Sequence, residues 1–381
     1  MFDIKKIIIL LLICLFLCGA GCGKKTDKSV KEASKIATES AEKKITVTCA
    51  GDCTLGTDVN FYGGTLPDEA EDQNYNYSYF LKNVQPYFKN DDLTIVNFEG
   101  TLTERGERQD KTFAFKGNPK YTEILTAGSV EAVTLANNHS RDYGIVSQED
   151  TKRYLEEAGI VWFENLNTKV IEVNGIKVGL VGLYDLDKSA ESNMPKAIEQ
   201  VKSDGAELIL IQIHWGIEGE NYPEEEQKML AHKAVDLGAD LVIGHHPHVL
   251  QGIECYKGRM IAYSMGNFCF GGNQNPRDKD SMIYQQTFTV KDGKVTAYDD
   301  YKIIPCSISS TSSRNNYQPT PATGSERERI ANKIQKFSNE LGNIRLKFEG
   351  ENGTTSSATD ESPISDNKSE KQTENDNSMI L

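Results

Sequence analysis

Five of the six histidines in this chain sit in short polar segments that follow apolar runs. His139 closes Ala136-Asn137-Asn138-His139, three residues before Asp142. His214 opens His214-Trp215-Gly216. His245, His246 and His248 crowd into Gly244-His245-His246-Pro247-His248. Three more segments of the same kind read Gly51-Asp52, Asn97-Phe98-Glu99-Gly100 and Ser264-Met265-Gly266-Asn267. Imidazole and carboxylate together suit a divalent metal such as Mn, Zn or Fe. The neighbouring glycines let the backbone turn sharply and approach a ligand closely. One Asp or Asn after a strand often does no more than start a helix. Six polar ends in series, holding nearly all the histidine, point instead to a single site. The sixth histidine, His232, falls inside a helical pattern and reads as structural. Cys53, next to Asp52, reads as a buried thiol rather than a ligand.

These segments need elements to hold them. Apolar runs at 45–49, 93–96, 132–135, 208–213, 241–243 and 260–263 read as buried strands, with helical patterns between them. That alternation is the signature of an α/β protein, and in open α/β sheets ligands gather beyond the carboxyl ends of the strands. Pro223 followed by three glutamates predicts a helix with Pro in its first turn, closed by Gly238. Asn174-Gly175 predicts a hairpin turn. A second hairpin is expected around Lys291-Asp292-Gly293-Lys294, so the sheets are mixed. A polar loop is expected over 308–321 and a helix over 325–341.

The strand-end blocks, above all Ala136-Asn137-Asn138-His139 and Gly244-His245-His246-Pro247-His248-Val249, resemble the CapA family of bacterial capsule, or poly-gamma-glutamate, biosynthesis proteins. The match runs in order over about 45–270. The family's domain is similar to calcineurin-like metallophosphoesterases, which implies a four-layer αββα sandwich. By position the resemblance makes Asp52, Glu99, Asn138, His214, His246 and His248 metal ligands and His139, with Asp142, the acid or charge stabiliser. Asn97, Asn137, His245 and Asn267 are the other site residues. The phosphoesterases carry His two residues after the first Asp, where this chain has Thr54, and their second metal-binding Asp is replaced by Glu99 or Asn97. The phosphoesterase parent therefore guides the fold more than the activity.

Three functions fit that resemblance. One is a surface metalloenzyme that hydrolyses or transfers an amide or a phosphoester, its metal polarising a carbonyl or phosphoryl oxygen and His139 exchanging a proton. Another is a non-catalytic subunit that binds an anionic polymer such as poly-gamma-glutamate for a membrane synthase or export complex. The third, a surface phosphoesterase, needs the full ligand set.

The ends of the chain suggest where it works. Lys5 and Lys6, the apolar run 7–17 and the small-residue zone 18–22 follow the order of a secretory signal. Gly19-Ala20-Gly21-Cys22 resembles a bacterial lipobox, which makes Cys22 the lipidated N-terminus and the protein extracytoplasmic, anchored to the cell membrane. Residues 23–44 read as a solvated spacer, 45–345 as the folded domain and 346–381 as a disordered polar tail. The five cysteines from Cys49 on show no CxxC pair, so free, mostly buried thiols are expected. A net charge of −14 argues against nucleic acid as a partner.

Overall fold

The computed structural model describes residues 41–350. The signal segment, Cys22, most of the spacer and the tail beyond 350 lie outside the described residues. Among the described residues no helix is long and apolar enough to cross a membrane.

Two large sheets form the centre. In the first, the strands run in the order Thr320–Pro321, Lys294–Ser307, Asp280–Lys291, Lys43–Thr54, Leu93–Phe98, Ala132–Thr134 and Val161–Phe163. The last four are parallel neighbours and the others antiparallel, with Asn267–Phe270 added in parallel at the end of the Lys43–Thr54 strand. The second sheet is ordered Ile253–Tyr256, Arg259–Ala262, Leu241–His245, Leu208–His214, Ile176–Tyr184 and Lys169–Val173. Its four middle strands are parallel and an antiparallel strand closes each edge.

The apolar runs that mark these strands lack polar alternation because both faces are covered. Successive side chains point to opposite faces. Val47, Ile95, Leu180, Leu210 and Ile243 therefore fill the space between the two sheets. Val96 and Val133 turn outward onto Phe80, Ile124 and Leu155 of one helical layer. Val181, Ile211 and Val242 turn the other way onto Met194, Ile198, Leu230 and Ala234. Each such side chain contributes roughly 1.5–3 kcal/mol of burial. The result is the expected αββα order of layers. Both hairpins form as expected: Asn174 and Asp292 adopt positive φ beside Gly175 and Gly293, the backbone that the tight primed turns need.

Three expectations change. Pro223 lies outside the Glu225–Asp236 helix, because Glu224 is the N-cap in extended backbone and exchanges hydrogen bonds with Gln227. The polar loop 308–321 is packed, with Asn315 and Asn316 buried and donating to Phe270 O and Tyr79 Oη. The folded body also runs past 345. Leu346 and Phe348 are buried in the inter-sheet core, and Lys347 and Glu349 exchange backbone hydrogen bonds of 2.9 Å with Ile303. The polar composition of the segment hides this two-residue apolar alternation.

Candidate metal centre

The site lies where the two sheets meet, so its residues come from both. Asp52 and Asn97 lie in the last residues of strands of the first sheet, and Glu99 and the 137–142 segment follow strands of that sheet; His214 and His245 end strands of the second, and 246–248 follow. The strand-end pattern alone would place them on one sheet edge. The seam is closed by direct backbone approach. Asp52 N donates to Gly266 O at 3.0 Å, and a Cβ on Gly51 would stand 2.0 Å from that oxygen. Gly244 is equally confined: a Cβ there would fall 2.0 Å from Tyr263 O.

Asp52 organises one side. Its Oδ1 accepts from Asn97 Nδ2 at 2.9 Å and sits 3.0 Å from His245 Nδ1. Its Oδ2 accepts from His246 N at 3.4 Å and lies 3.3 Å from His248 Nδ1. Burial alone would raise this carboxyl, but the His245 and His248 hydrogen bonds hold it well below the usual range. Asn137 donates to Asn97 Oδ1 and to Phe98 O, while its own Oδ1 accepts from His139 N. His245 is held at both ring nitrogens, by Asp52 and by Gln212 Oε1 at 2.7 Å. Asn97, Asn137 and His245 are thus the frame of the site. Asn267 supports His248, with Oδ1 2.9 Å from Nδ1.

Glu99 sits at the centre and differs from all of these. It is fully buried, and neither carboxylate oxygen has a hydrogen-bond partner. His214 Nε2 and His248 Nε2 each stand 3.8 Å from Oε1, and His139 Nε2 stands 3.9 Å away. His248 Nε2 and His246 Nδ1 are likewise buried without partners. Donor atoms of Glu99, His214 and His246 lie within 4.8 Å of one another, as do those of Asp52, Glu99 and His248, and those of Glu218, His246 and His248. Burial pushes the Glu99 carboxyl up to about 8. Burial would lower His248, but the Glu99 and Asp52 carboxylates more than offset it and raise the imidazole to about 10. Burial, with His248 beside it, takes His246 down to about 3, and burial with His246 nearby holds His214 well below its usual value. Two imidazoles held neutral, a third beside two carboxyl groups, the unpartnered Glu99 carboxyl and the Asp52 carboxylate make a donor set that fits a divalent cation.

His139 stands beside this set. Its Nδ1 lies 2.6 Å from Asp142 Oδ2. The carboxylate can only accept, so Nδ1 carries the proton and Nε2 faces the site. Lys111 Nζ donates to Asp142 Oδ1 at 2.8 Å and to Asn138 O at 2.9 Å, fixing the pair from outside. Asn138 Oδ1 lies 2.8 Å from His214 Nε2, which puts its amide at the rim of the cluster. His232, by contrast, stacks on Tyr256 and pairs with Glu254, away from the site.

The sequence reading missed three residues. Glu218 lies four positions past His214 in the same strand-end loop and is brought to His246 because Gly219 N donates to Pro247 O; extending the strand-end rule by a few residues would have found it. Gln212 is inside a strand and Lys111 is in a loop with no preceding apolar run, so neither carried a signal. Cys53 packs in one apolar layer with Cys269 and Cys306, Cys49 is buried between the sheets, and Cys255 is exposed; all five are free.

A four-layer α/β sandwich with a buried His/carboxylate cluster at the seam of its sheets defines the class of protein. The chain belongs to the bacterial capsule synthesis protein PGA_cap family, whose model matches residues 46–272. It is 29% identical over 323 residues to the capsule biosynthesis protein CapA of Bacillus anthracis, covering 77% of this chain and 74% of that one. It is 31% identical over 253 residues to the PGA biosynthesis protein CapA of Bacillus subtilis (strain 168), covering 59% of this chain and 66% of that one. Among solved structures, a hypothetical protein from Thermus thermophilus aligns with 68% of this chain and 99% of its own, at 16% identity and a TM-score of 0.41.

Proposed function

We propose that this protein is a surface component of capsule or poly-gamma-glutamate biosynthesis, and that its seam site binds a divalent cation and acts on an amide or phosphoester of the polymer or its precursor. The family and the names of the two CapA relatives support the pathway. One observation carries the site: Glu99 is a fully buried carboxylate with no partner on either oxygen, ringed by imidazoles. Buried polar atoms left without a hydrogen bond cost about 1–3 kcal/mol each, and a cation held by Glu99 with His214 and His246, or by Glu99 with Asp52 and His248, would remove that cost.

When bound, such a cation supplies Lewis-acid polarisation of a carbonyl or phosphoryl oxygen. The chain's own residues do the rest. Asp142 fixes the His139 tautomer, so Nε2 is free to take or give a proton at a substrate oxygen on the Glu99 side. Lys111 keeps Asp142 in place. Asp52, itself held by Asn97 and His245, orients His248. Export, lipidation at Cys22 and association with membrane synthase or export subunits complete the reading; they rest on the N-terminal sequence and on the relatives' names.

A second reading, a polymer-holding subunit without turnover, draws on Thr54 standing where a phosphoesterase has His. The two separate in one experiment. Purified protein is assayed for bound Mn, Zn and Fe, then for turnover of bis-p-nitrophenyl phosphate and of poly-gamma-glutamate, with His139→Ala alongside. Bound metal with turnover lost in the variant supports the enzyme. Bound metal with no turnover of either substrate supports the holding subunit, and absence of metal at every preparation sinks both.

A further inference from the structure

Beside the cluster lies a cleft of about 630 Å³, walled by the 135–141 segment on one side and by the 164–167 and 184–193 segments on the other. It opens off the metal centre. Asn138 lines both, with Oδ1 2.8 Å from His214 Nε2, and Tyr184 on the opposite wall packs its ring 6.2 Å from the His214 ring. Side-chain amides, which both donate and accept, are the commonest group in the lining. Asn137 and Gln148 are committed to holding the walls. Asn165 Oδ1 accepts from Tyr184 N, and Asn138 Oδ1 is taken up by His214, so these two present only their Nδ2 groups, while Asn167 and Asn193 offer whole side-chain amides to a ligand. Such a surface matches a chain that also alternates N–H and C=O; a bare phosphate would leave the donating and accepting groups unmatched.

One cation stands in this cleft with its charge uncancelled. Arg141 Nε donates to Gln148 Oε1 at 2.8 Å, and Gln148 Nε2 donates to Glu164 Oε2 at 2.9 Å. Gln148 and Glu164 are buried, and Glu164 is already paired with Lys152. This relay fixes the guanidinium plane at the exposed edge of the cleft while its Nη nitrogens have no partner among the described residues. Asp187, on the other wall, is turned onto Ser189 N. A planar fork with two free donors is the geometry that receives a carboxylate.

We propose that this cleft is the polymer subsite: it takes an acidic polyamide, whose backbone amides meet the asparagines and one of whose side-chain carboxylates is clamped by Arg141. The chain then passes Asn138 and reaches the His139 and Glu99 side of the seam. This deepens the proposed function and rests on it for what happens at the seam, but binding in the cleft does not require the cation.

Isothermal titration of the full chain in detergent tests this with a synthetic γ-linked hexaglutamate, the neutral hexaglutamine and an oligogalacturonate of matched charge. Arg141 is exposed, so Arg141→Gln keeps the fold. It is expected to weaken hexaglutamate binding about tenfold, the scale of one charge-assisted pair, with Arg141→Lys between the two. Hexaglutamine should bind both forms equally, and Asn193→Trp, which fills the cleft, should weaken both peptides. Equal hexaglutamate affinity in wild type and Arg141→Gln would overturn the proposal. So would preference for the oligogalacturonate, or wild-type protein that binds neither peptide. Metal content, measured on the same samples, reports separately on the seam: loss of metal with peptide binding intact breaks the proposed function and leaves the cleft standing.

Discussion

Two clusters of charge in this molecule look alike on a residue count and differ in how they are balanced. The first is the seam cluster around Glu99. The second lines a larger cleft of about 770 Å³ between the 275–280 and 307–312 loops and the Gly324–Asn339 helix. There Arg329 forms a two-pronged pair with Asp280, at 2.6 and 2.8 Å, and Lys333 bridges Asp278 and Asp280 at 2.6 and 2.9 Å. Every charge named there has its partner within the chain, and the cluster ties the last helix to the sheet. At the seam, Glu99, His246 and His248 keep buried atoms with no partner at all. Folding does not leave buried polar atoms unpaired without a reason. The paired cluster is therefore a brace, and the unsatisfied seam cluster is the one whose donor atoms fit a ligand.

The sharpest break of this comparison is Glu99→Gln. It should abolish metal uptake by the purified protein, read by elemental analysis. It should also flatten the pH dependence of the metal-free fold. Glu99 is raised by burial to about 8, above its unfolded value near 4.3. Its contribution is thus fully present below about pH 4.3 and is lost as pH rises through 8. Metal-free wild type should lose stability over that window, in urea melts at pH 5, 7 and 9, more steeply than the variant. Parallel curves would show that Glu99 has a partner after all.

Metal affinity itself should rise with pH. His248, raised to about 10 by Glu99 and Asp52 against the pull of burial, and Glu99 both hold protons that a cation must displace. Titrations at pH 6, 7.5 and 9 should show tightening at each step with proton release. A flat profile would remove these two groups from the ligand set.

Asp280→Asn probes the brace and should act on stability alone, costing about 1–2 kcal/mol at pH 7 with metal uptake unchanged. Burial would raise Asp280, but the Arg329 hydrogen bond and Lys333 hold it below its ordinary value. Its contribution is complete above about pH 4 and disappears as pH falls through the folded value. Wild-type and variant urea midpoints should therefore differ at pH 7 and draw together only as the pH falls below the ordinary carboxylate range. Loss of metal in this variant would erase the distinction between the two clusters. The smallest effect is expected from His232→Ala, which removes a half-buried pair with Glu254 and should change stability by less than about 1 kcal/mol and metal uptake not at all.

Most of this is readable in advance because parallel strands buried on both faces announce themselves as apolar runs, and the residue after such a run must lie near one edge. Asp52, Glu99, His139, His214, His246 and His248 are found that way, and His232 is set aside because it lacks a strand before it. The roles are less legible. His245 has the same position in its segment as a ligand would, yet both its nitrogens are taken by Asp52 and Gln212. Leu346 and Phe348 are lost in a polar stretch because two apolar residues are too few to show a period.

The sequence by itself determined the strands, the two hairpin turns and the set of residues that could do chemistry, since each depends on local patterning and side-chain type. Only the tertiary structure decided that the site spans two sheets, that Glu218 and Lys111 reach it, and which buried atoms are left unpaired. Those facts depend on how residues more than 190 positions apart, such as Asp52 and His245 on their separate strands, are brought together. A hydrogen bond accepted or left unmade at that seam is a property of the packed arrangement.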